Sequence, residues 1–193
     1  LFFDIETVPT EHGFTHGKPR GAEEPEDQYV KRLSLSAITA RVLCIGFALE
    51  PPADAPTEVL SGDEAAILKD FWGLVERAEL VVGHNVLDFD LKFLVQRSTI
   101  HRIKPSRDIP FARFRNAPVF DTMHEWTRWG REGVSLDALA LVLGLASPKG
   151  VMDGSKVYPA FQAGRLEEVY AYCRGDVDTV RRVYRRLKFA EGS

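Results

Sequence analysis

The chain has 193 residues, 45% hydrophobic and 27% charged, with a formal net charge of −3 at pH 7 and two cysteines. That length suits a single domain over residues 1–193 with enough chain for a sizeable core, and no apolar run approaches the roughly 20 residues that cross a membrane. The mild acidity argues neither for nor against a nucleic-acid partner, because the distribution of charge matters more than its sum.

Residues 1–7 form a short segment that carries acids, unlike a signal peptide. Cys44 and Cys173 sit in apolar or helical patterns and read as two buried thiols of a reducing, cytoplasmic setting rather than as a disulfide or a metal site. Residues 1–5 read as a buried strand ended by Val8-Pro9. Asp4 and Glu6 lie two apart on it and so project from one face. Like charges held together there repel, and such a pair usually needs a cation between its members. By itself the D-x-E pattern is unspecific.

Residues 10–37 are polar, with an acidic cluster at Glu23, Glu24, Glu26 and Asp27, and read as a loop with one helix near 28–33 and a solvated acidic face. Residues 41–50 form a second strand stopped by Pro51-Pro52, and 57–60 a third. Ser61-Gly62-Asp63-Glu64 starts a helix whose Ile67, Leu68, Phe71, Trp72 and Val75 recur at helical spacing. A short buried strand at 80–82 leads through the turn Gly83-His84-Asn85 into a helix over 88–96. Further helices are expected at 121–129 and 136–143, with Gly144 in the place of a C-terminal glycine. Residues 146–160 hold Pro and Gly and read as a loop, and 166–189 as one long amphipathic helix. Strands come first and helices later, which gives an α/β domain with a small mixed central β-sheet flanked by α-helices.

Two more groups of residues carry chemistry. In Gly83-His84-Asn85-Val86-Leu87-Asp88-Phe89-Asp90 a strand delivers the chain to a turn that opens a helix, the kind of junction where α/β sheets place ligand sites. The plainer reading is that Asp88 and Asp90 favour a helix N-terminus through its dipole, with His84 and Asn85 fixing the turn. Tyr172 and Asp176 are four apart and share a face of the last helix. No base follows Asp176 at pairing distance, since the residues three and four further on are Thr179 and Val180. Together, Asp4, Glu6, Asp90 and Asp176 form an all-oxygen set of the sort that holds hard divalent cations, Mg²⁺ or Mn²⁺, in phosphodiester hydrolysis.

Taken in order, Phe3-Asp4-Ile5-Glu6-Thr7, His84-Asn85 with Phe89-Asp90, and Tyr172-x-x-x-Asp176 resemble the three motifs of the DEDD 3′–5′ exonuclease superfamily, tyrosine subclass. Asp121-Thr122-Met123, and Ser135 to Ala140 ahead of Leu143-Gly144, resemble accessory segments of the stand-alone predicted exonucleases related to the proofreading domain of B-family DNA polymerases. The resemblance implies an RNase H-like fold and metal-dependent removal of nucleotides from 3′ ends. It implies that Asp4, Glu6 and Asp176 hold the more buried of two divalent metal ions. Asp4, with Asp90 largely through water, would serve the second. Tyr172 would orient the attacking water, as an orienter and not a base, because its ordinary pKa of about 10 leaves it protonated at neutral pH. Asp178 lies about 200° round the helix from Asp176 and cannot share its face. Asp121 reads first as a helix cap.

For substrate the candidates are Thr7, through Glu6-Thr7 backbone amides as in relatives, and His84, Asn85 and Phe89 at the second motif. Arg107 and Arg113 join them from a basic stretch over 92–115 that also carries Phe111 and Phe114. Such a stretch can bind phosphates without regard to sequence and stack unpaired bases, or simply be a solvated loop with two core phenylalanines. Trp126 and Trp129 read as core, and Arg181, Arg182, Arg185 and Arg186 as the wet face of the last helix. The expected partners are 3′ ends of single-stranded DNA or RNA, DNA favoured, with no membrane and with room for a larger replication or repair complex. The rival readings are a catalytically idle nucleic-acid-binding module, an RNase H-like endonuclease, and a structural domain of a larger replication complex.

Overall fold

The computed structural model describes residues 1–145 and 152–190. Five strands form one mixed sheet: β1 (Phe2–Pro9), β2 (Ala40–Ala48), β3 (Glu58–Ser61), β4 (Val81–Gly83) and β5 (Val119–Asp121), in the spatial order β3-β2-β1-β4-β5. β1, β2 and β3 pair antiparallel, whereas β4 runs parallel to both β1 and β5. Alternation along β1 sorts its side chains. Phe3 and Ile5 enter the core under helices α3 (Glu64–Arg77) and α4 (Asp90–Ile100), while Phe2 and Val8 face the other side, under α8 (Leu166–Leu187). Asp4 and Glu6 share the parity of Phe2 and Val8 and so face α8.

Helix α3 starts where the sequence places it, with the Asp63 carboxylate accepting from the Ala66 N–H, and its Ile67, Leu68, Phe71, Trp72 and Val75 are all buried. Glu64 in its first turn accepts from the Val42 N–H at 2.7 Å and from Arg97 Nη2 at 2.6 Å, which ties α3 to β2 and α4 in one buried network. On α8, Val169, Cys173, Val177 and Val180 are fully buried at helical spacing.

Several local expectations need correction. β1 does not stop at Val8-Pro9, because Pro9 pairs with Ala40 as the last residue of the ladder, a strand position that tolerates the missing N–H. Residues 10–37 are not mainly loop. They form α1 (Glu11–His16), capped by the Thr10 hydroxyl, and α2 (Glu26–Ser34), whose Glu26 and Asp27 sit in the first turn where the helix dipole favours acids. Gly13 is required in α1, since a Cβ there would fall 2.0 Å from the Thr39 carbonyl oxygen. The expected helix at 121–129 is α5 (Thr122–Thr127), preceded by the unforeseen strand β5, three residues too short for periodicity to show. α6 (Leu136–Val142) ends in Gly144 at φ 69°, as its position suggests. Within 146–160, residues 146–151 lie outside the described residues. Residues Gly154–Lys156 form a 3₁₀ turn and Val157–Gln162 form α7, nucleated by Asp153, whose carboxylate accepts from the Ser155 N–H.

Candidate active site

The end of β1 carries the site. A register shift between Glu6 and Thr7 places Leu43 as an extra residue of β2, the kind of bulge that re-aims side chains at strand ends. Above this strand, α8 approaches β2 closely. The Gly46 N–H donates to Cys173 Sγ at 3.1 Å, and Sγ lies 3.8 Å from Asp4 Oδ2. Asp4, Glu6 and Cys173 thus offer ligand atoms that all lie within 4.8 Å of one another. From the other flank, Asp90 opens α4, and its Oδ1 accepts the backbone N–H of Ile5 at 3.2 Å. Asp90 is 3% exposed and Glu6 9%.

The electrostatics show how unfavourable this cluster is by itself. Burial, and then the charges of Asp90, Glu6 and Asp176, push the Asp4 carboxyl well above the usual range. Glu6 rises in the same direction through burial and then Cys44, Asp176 and Asp90. Asp90 is pushed up to about 7, mainly by burial, against the two N–H groups that stabilise its charged form. No lysine, arginine or histidine acts on any of the three among the described residues. Clustered carboxylates, two of them on buried residues and one on the half-buried Asp4, without a protein counter-charge are the oxygen donor set of a hard divalent cation, so the residues fit such an ion.

Tyr172 joins the cluster through a hydrogen bond to Asp176, and burial plus the charges of Asp176, Glu6 and Asp4 push its hydroxyl above the ordinary value, so it stays protonated. Asp178 is turned away, with Oδ1 accepting from the Thr57 hydroxyl and Arg181. Asp121 does more than cap α5. Besides the N–H groups of Met123 and His124 it accepts those of Asn85 and Leu87, and so braces the turn ahead of Asp90. Asn85 itself sits at φ 61° in that turn.

The remaining predicted residues scatter. The Thr7 hydroxyl donates to the Ser34 carbonyl at 2.8 Å and anchors α2 beside the site. His84 lies between Val134 O, at 2.7 Å from Nε2, and Thr122 Oγ1, at 2.9 Å from Nδ1. Burial lowers its pKa, and neither ring nitrogen is left for a ligand. Phe89 lies beside the carboxylates and packs on Phe93. Arg107 is at the other end of the sheet, donating to the Ala78 carbonyl ahead of β4, and Arg113 is exposed in the loop before β5. Phe111 and Phe114 are exposed rather than core, Trp126 is exposed too, and Trp129 stacks flat on His124 with ring centroids 4.7 Å apart. Arg181 and Arg185 are not a wet face, because both clamp Glu50 and the Ala53 carbonyl. Cys44 and Cys173 are both buried and free, as expected, yet they hydrogen-bond to each other. The placement of Cys173 beside Asp4 had no signal in the sequence beyond its neighbour Tyr172.

Residues 49–193 match the family described as a predicted 3′-5′ exonuclease related to the exonuclease domain of PolB. The matched span begins after Asp4 and Glu6. An uncharacterized protein of Methanocaldococcus jannaschii is 25% identical over 162 residues, which cover 82% of this chain and 84% of the relative. Among solved structures, the family B DNA polymerase of the hyperthermophilic archaeon Pyrobaculum calidifontis superposes with a TM-score of 0.68 at 19% identity, over 96% of this chain. The chain spans 24% of that polymerase's length, and the likeness is one of fold, RNase H-like.

Proposed function

The chain belongs to the predicted 3′-5′ exonucleases related to the exonuclease domain of PolB, and from that premise we propose that it hydrolyses phosphodiester bonds at the 3′ end of single-stranded nucleic acid, DNA favoured over RNA, with two divalent cations, Mg²⁺ or Mn²⁺. The observation that carries this reading is the convergence of Asp4, Glu6 and Asp90 with the Tyr172–Asp176 pair at the end of one strand. An idle binding module has no use for so costly a cluster of buried and half-buried acids. The preference for DNA rests on the family's relation to a DNA polymerase domain.

In this reading Asp4, Glu6 and Asp176 would hold one cation, and Asp4, with Asp90 largely through water, would serve the other. When bound, the cations lower the pKa of water towards neutrality and offset charge on the attacking and leaving oxygens. The protein's own part is placement. The Ile5 N–H holds Oδ1 of Asp90 and so fixes that carboxylate beside β1. Tyr172 donates a hydrogen bond to Asp176, so its oxygen would accept one from the incoming water and set the direction of attack. Cys173 packs against Asp4 and holds α8 at its distance from β1.

The test is hydrolysis of 5′-labelled single-stranded DNA and RNA with Mg²⁺, with Mn²⁺ and with chelator, beside the Asp4→Ala variant. A ladder shortening from the 3′ end, absent in chelator and in the variant, is expected. Cleavage of a circular single strand would instead make the enzyme an endonuclease, and cleavage by Asp4→Ala at the wild-type rate would remove the carboxylates from the mechanism.

A further inference from the structure

Beside the carboxylates lies a cleft of about 360 Å³ whose floor is Glu6 and Thr7. One wall is α2, which presents Asp27, Lys31 and Ser34 at i, i+4 and i+7, a single helical face. The opposite wall is the segment of Ser155 and Tyr158, and Phe89 lines the side towards α4. The walls are tied together. The Phe14 ring of α1 contacts Tyr29 of α2 and Tyr158 of α7, with centroids 6.0 and 5.8 Å apart, and the Thr7 and Thr39 hydroxyls bond the Ser34 and Leu33 carbonyls at the end of α2. The cleft is therefore a built feature, and its volume of about 360 Å³ is of the order of one nucleotide.

Its charge pattern is unusual. The lining acids are Glu6, Asp27 and Asp153, and Lys31 is the one cation lining it among the described residues. Lys31 is exposed and, among the described residues, has no ion-pair partner, whereas the neighbouring Arg32 is tied to Glu24. An exposed ammonium that lines an acidic cleft, with no carboxylate partner among the described residues, suits an anion brought by the ligand.

Resting on the exonuclease reading above, we propose that Lys31 is a substrate-binding residue, whose ammonium binds the phosphate of the 3′-terminal nucleotide held between α2 and Tyr158.

The experiment compares Lys31→Ala, Lys31→Glu and Lys31→Arg with the wild type. It reads steady-state cleavage of a single-stranded oligonucleotide, inhibition by a deoxynucleoside 5′-monophosphate, and anisotropy of the labelled oligonucleotide in chelator. Lys31 is on the surface of α2 and makes no core contact, so unchanged melting curves are expected to show intact folds. Loss of one charge-assisted contact is expected to raise KM and weaken monophosphate inhibition about tenfold in Lys31→Ala, more in Lys31→Glu, with rescue by Lys31→Arg. The salt slope of binding should fall by about 0.7, the share of one phosphate contact on a single strand. A nucleoside lacking the phosphate should inhibit all variants alike. Active variants with unchanged KM and monophosphate inhibition would overturn the role of Lys31 while leaving the exonuclease reading intact. A wild type that cleaves nothing but loses anisotropy on Lys31→Glu would overturn the exonuclease reading and keep the phosphate contact.

Discussion

Gly46 of β2 and Cys173 of α8 touch: the Gly46 N–H donates to Sγ at 3.1 Å, and a Cβ at Gly46 would stand 3.0 Å from both the carbonyl oxygen and the Sγ of Cys173. The absence of a side chain at Gly46 sets how closely α8 lies on the sheet, and so how far Tyr172 and Asp176 stand from Asp4 and Glu6. The close approach to α8 that matters is thus made by a glycine of the strand.

Gly46→Ala should therefore act on both stability and activity. The nearest atoms include backbone, which cannot rotate away, so overpacking is expected to cost about 1–3 kcal/mol and to lower cleavage by lifting α8. Thermal melting and single-turnover cleavage check this. A variant of normal stability and rate would show that α8 tolerates a shift.

Replacing Asp4 with Asn removes one of the repelling acids. In chelator at neutral pH the Asp4→Asn variant should be more stable than the wild type by about 1 kcal/mol, or roughly 3 °C in Tm, while hydrolysis is lost. Mn²⁺ should raise the wild-type Tm and leave that of Asp4→Asn nearly unchanged. Equal Mn²⁺ shifts in both would place the cation elsewhere.

The same acids predict a pH dependence. Asp90 titrates near 7 in the folded chain against an ordinary 3.8, so between about pH 4 and 7 the folded state keeps a proton that the unfolded state has released. Stability conferred by that proton is complete below the unfolded pKa and is lost as pH rises through 7. Asp4 and Glu6 shift in the same direction. Metal-free protein should thus lose stability across this window, and saturating Mg²⁺ should flatten the loss by replacing the protons. Urea melts at several pH values, with and without Mg²⁺, measure it.

Tyr172→Phe deletes the hydroxyl that donates to Asp176 but removes no carboxylate. Cleavage should fall about 10- to 100-fold through lost orientation, less than in Asp4→Ala, with the Mn²⁺-induced Tm shift retained. Because the hydroxyl stays protonated, the pH–rate profile of the residual activity should keep the wild-type shape. A changed profile would make the tyrosine a titrating group.

What the sequence determined by itself was everything carried by short-range periodicity. The two-residue alternation of β1 is enough to put Asp4 and Glu6 on one face, and the 3.6-residue turn of α8 is enough to pair Tyr172 with Asp176 and turn Asp178 aside. Tertiary structure decided whatever depends on a partner distant in the chain. The Arg181 and Arg185 stripe looked wet until Glu50 and the Ala53 carbonyl, some 130 residues away, reached it. β5 has too few residues for a pattern and exists because β4 pairs with it. The polar stretch 10–37 became two helices fixed by the Thr39 carbonyl and the Thr7 hydroxyl, and only that docking brings Lys31 to the cleft beside Glu6. Local patterns record which face a residue takes; which surface meets that face is set by long-range contacts that leave no period in the chain.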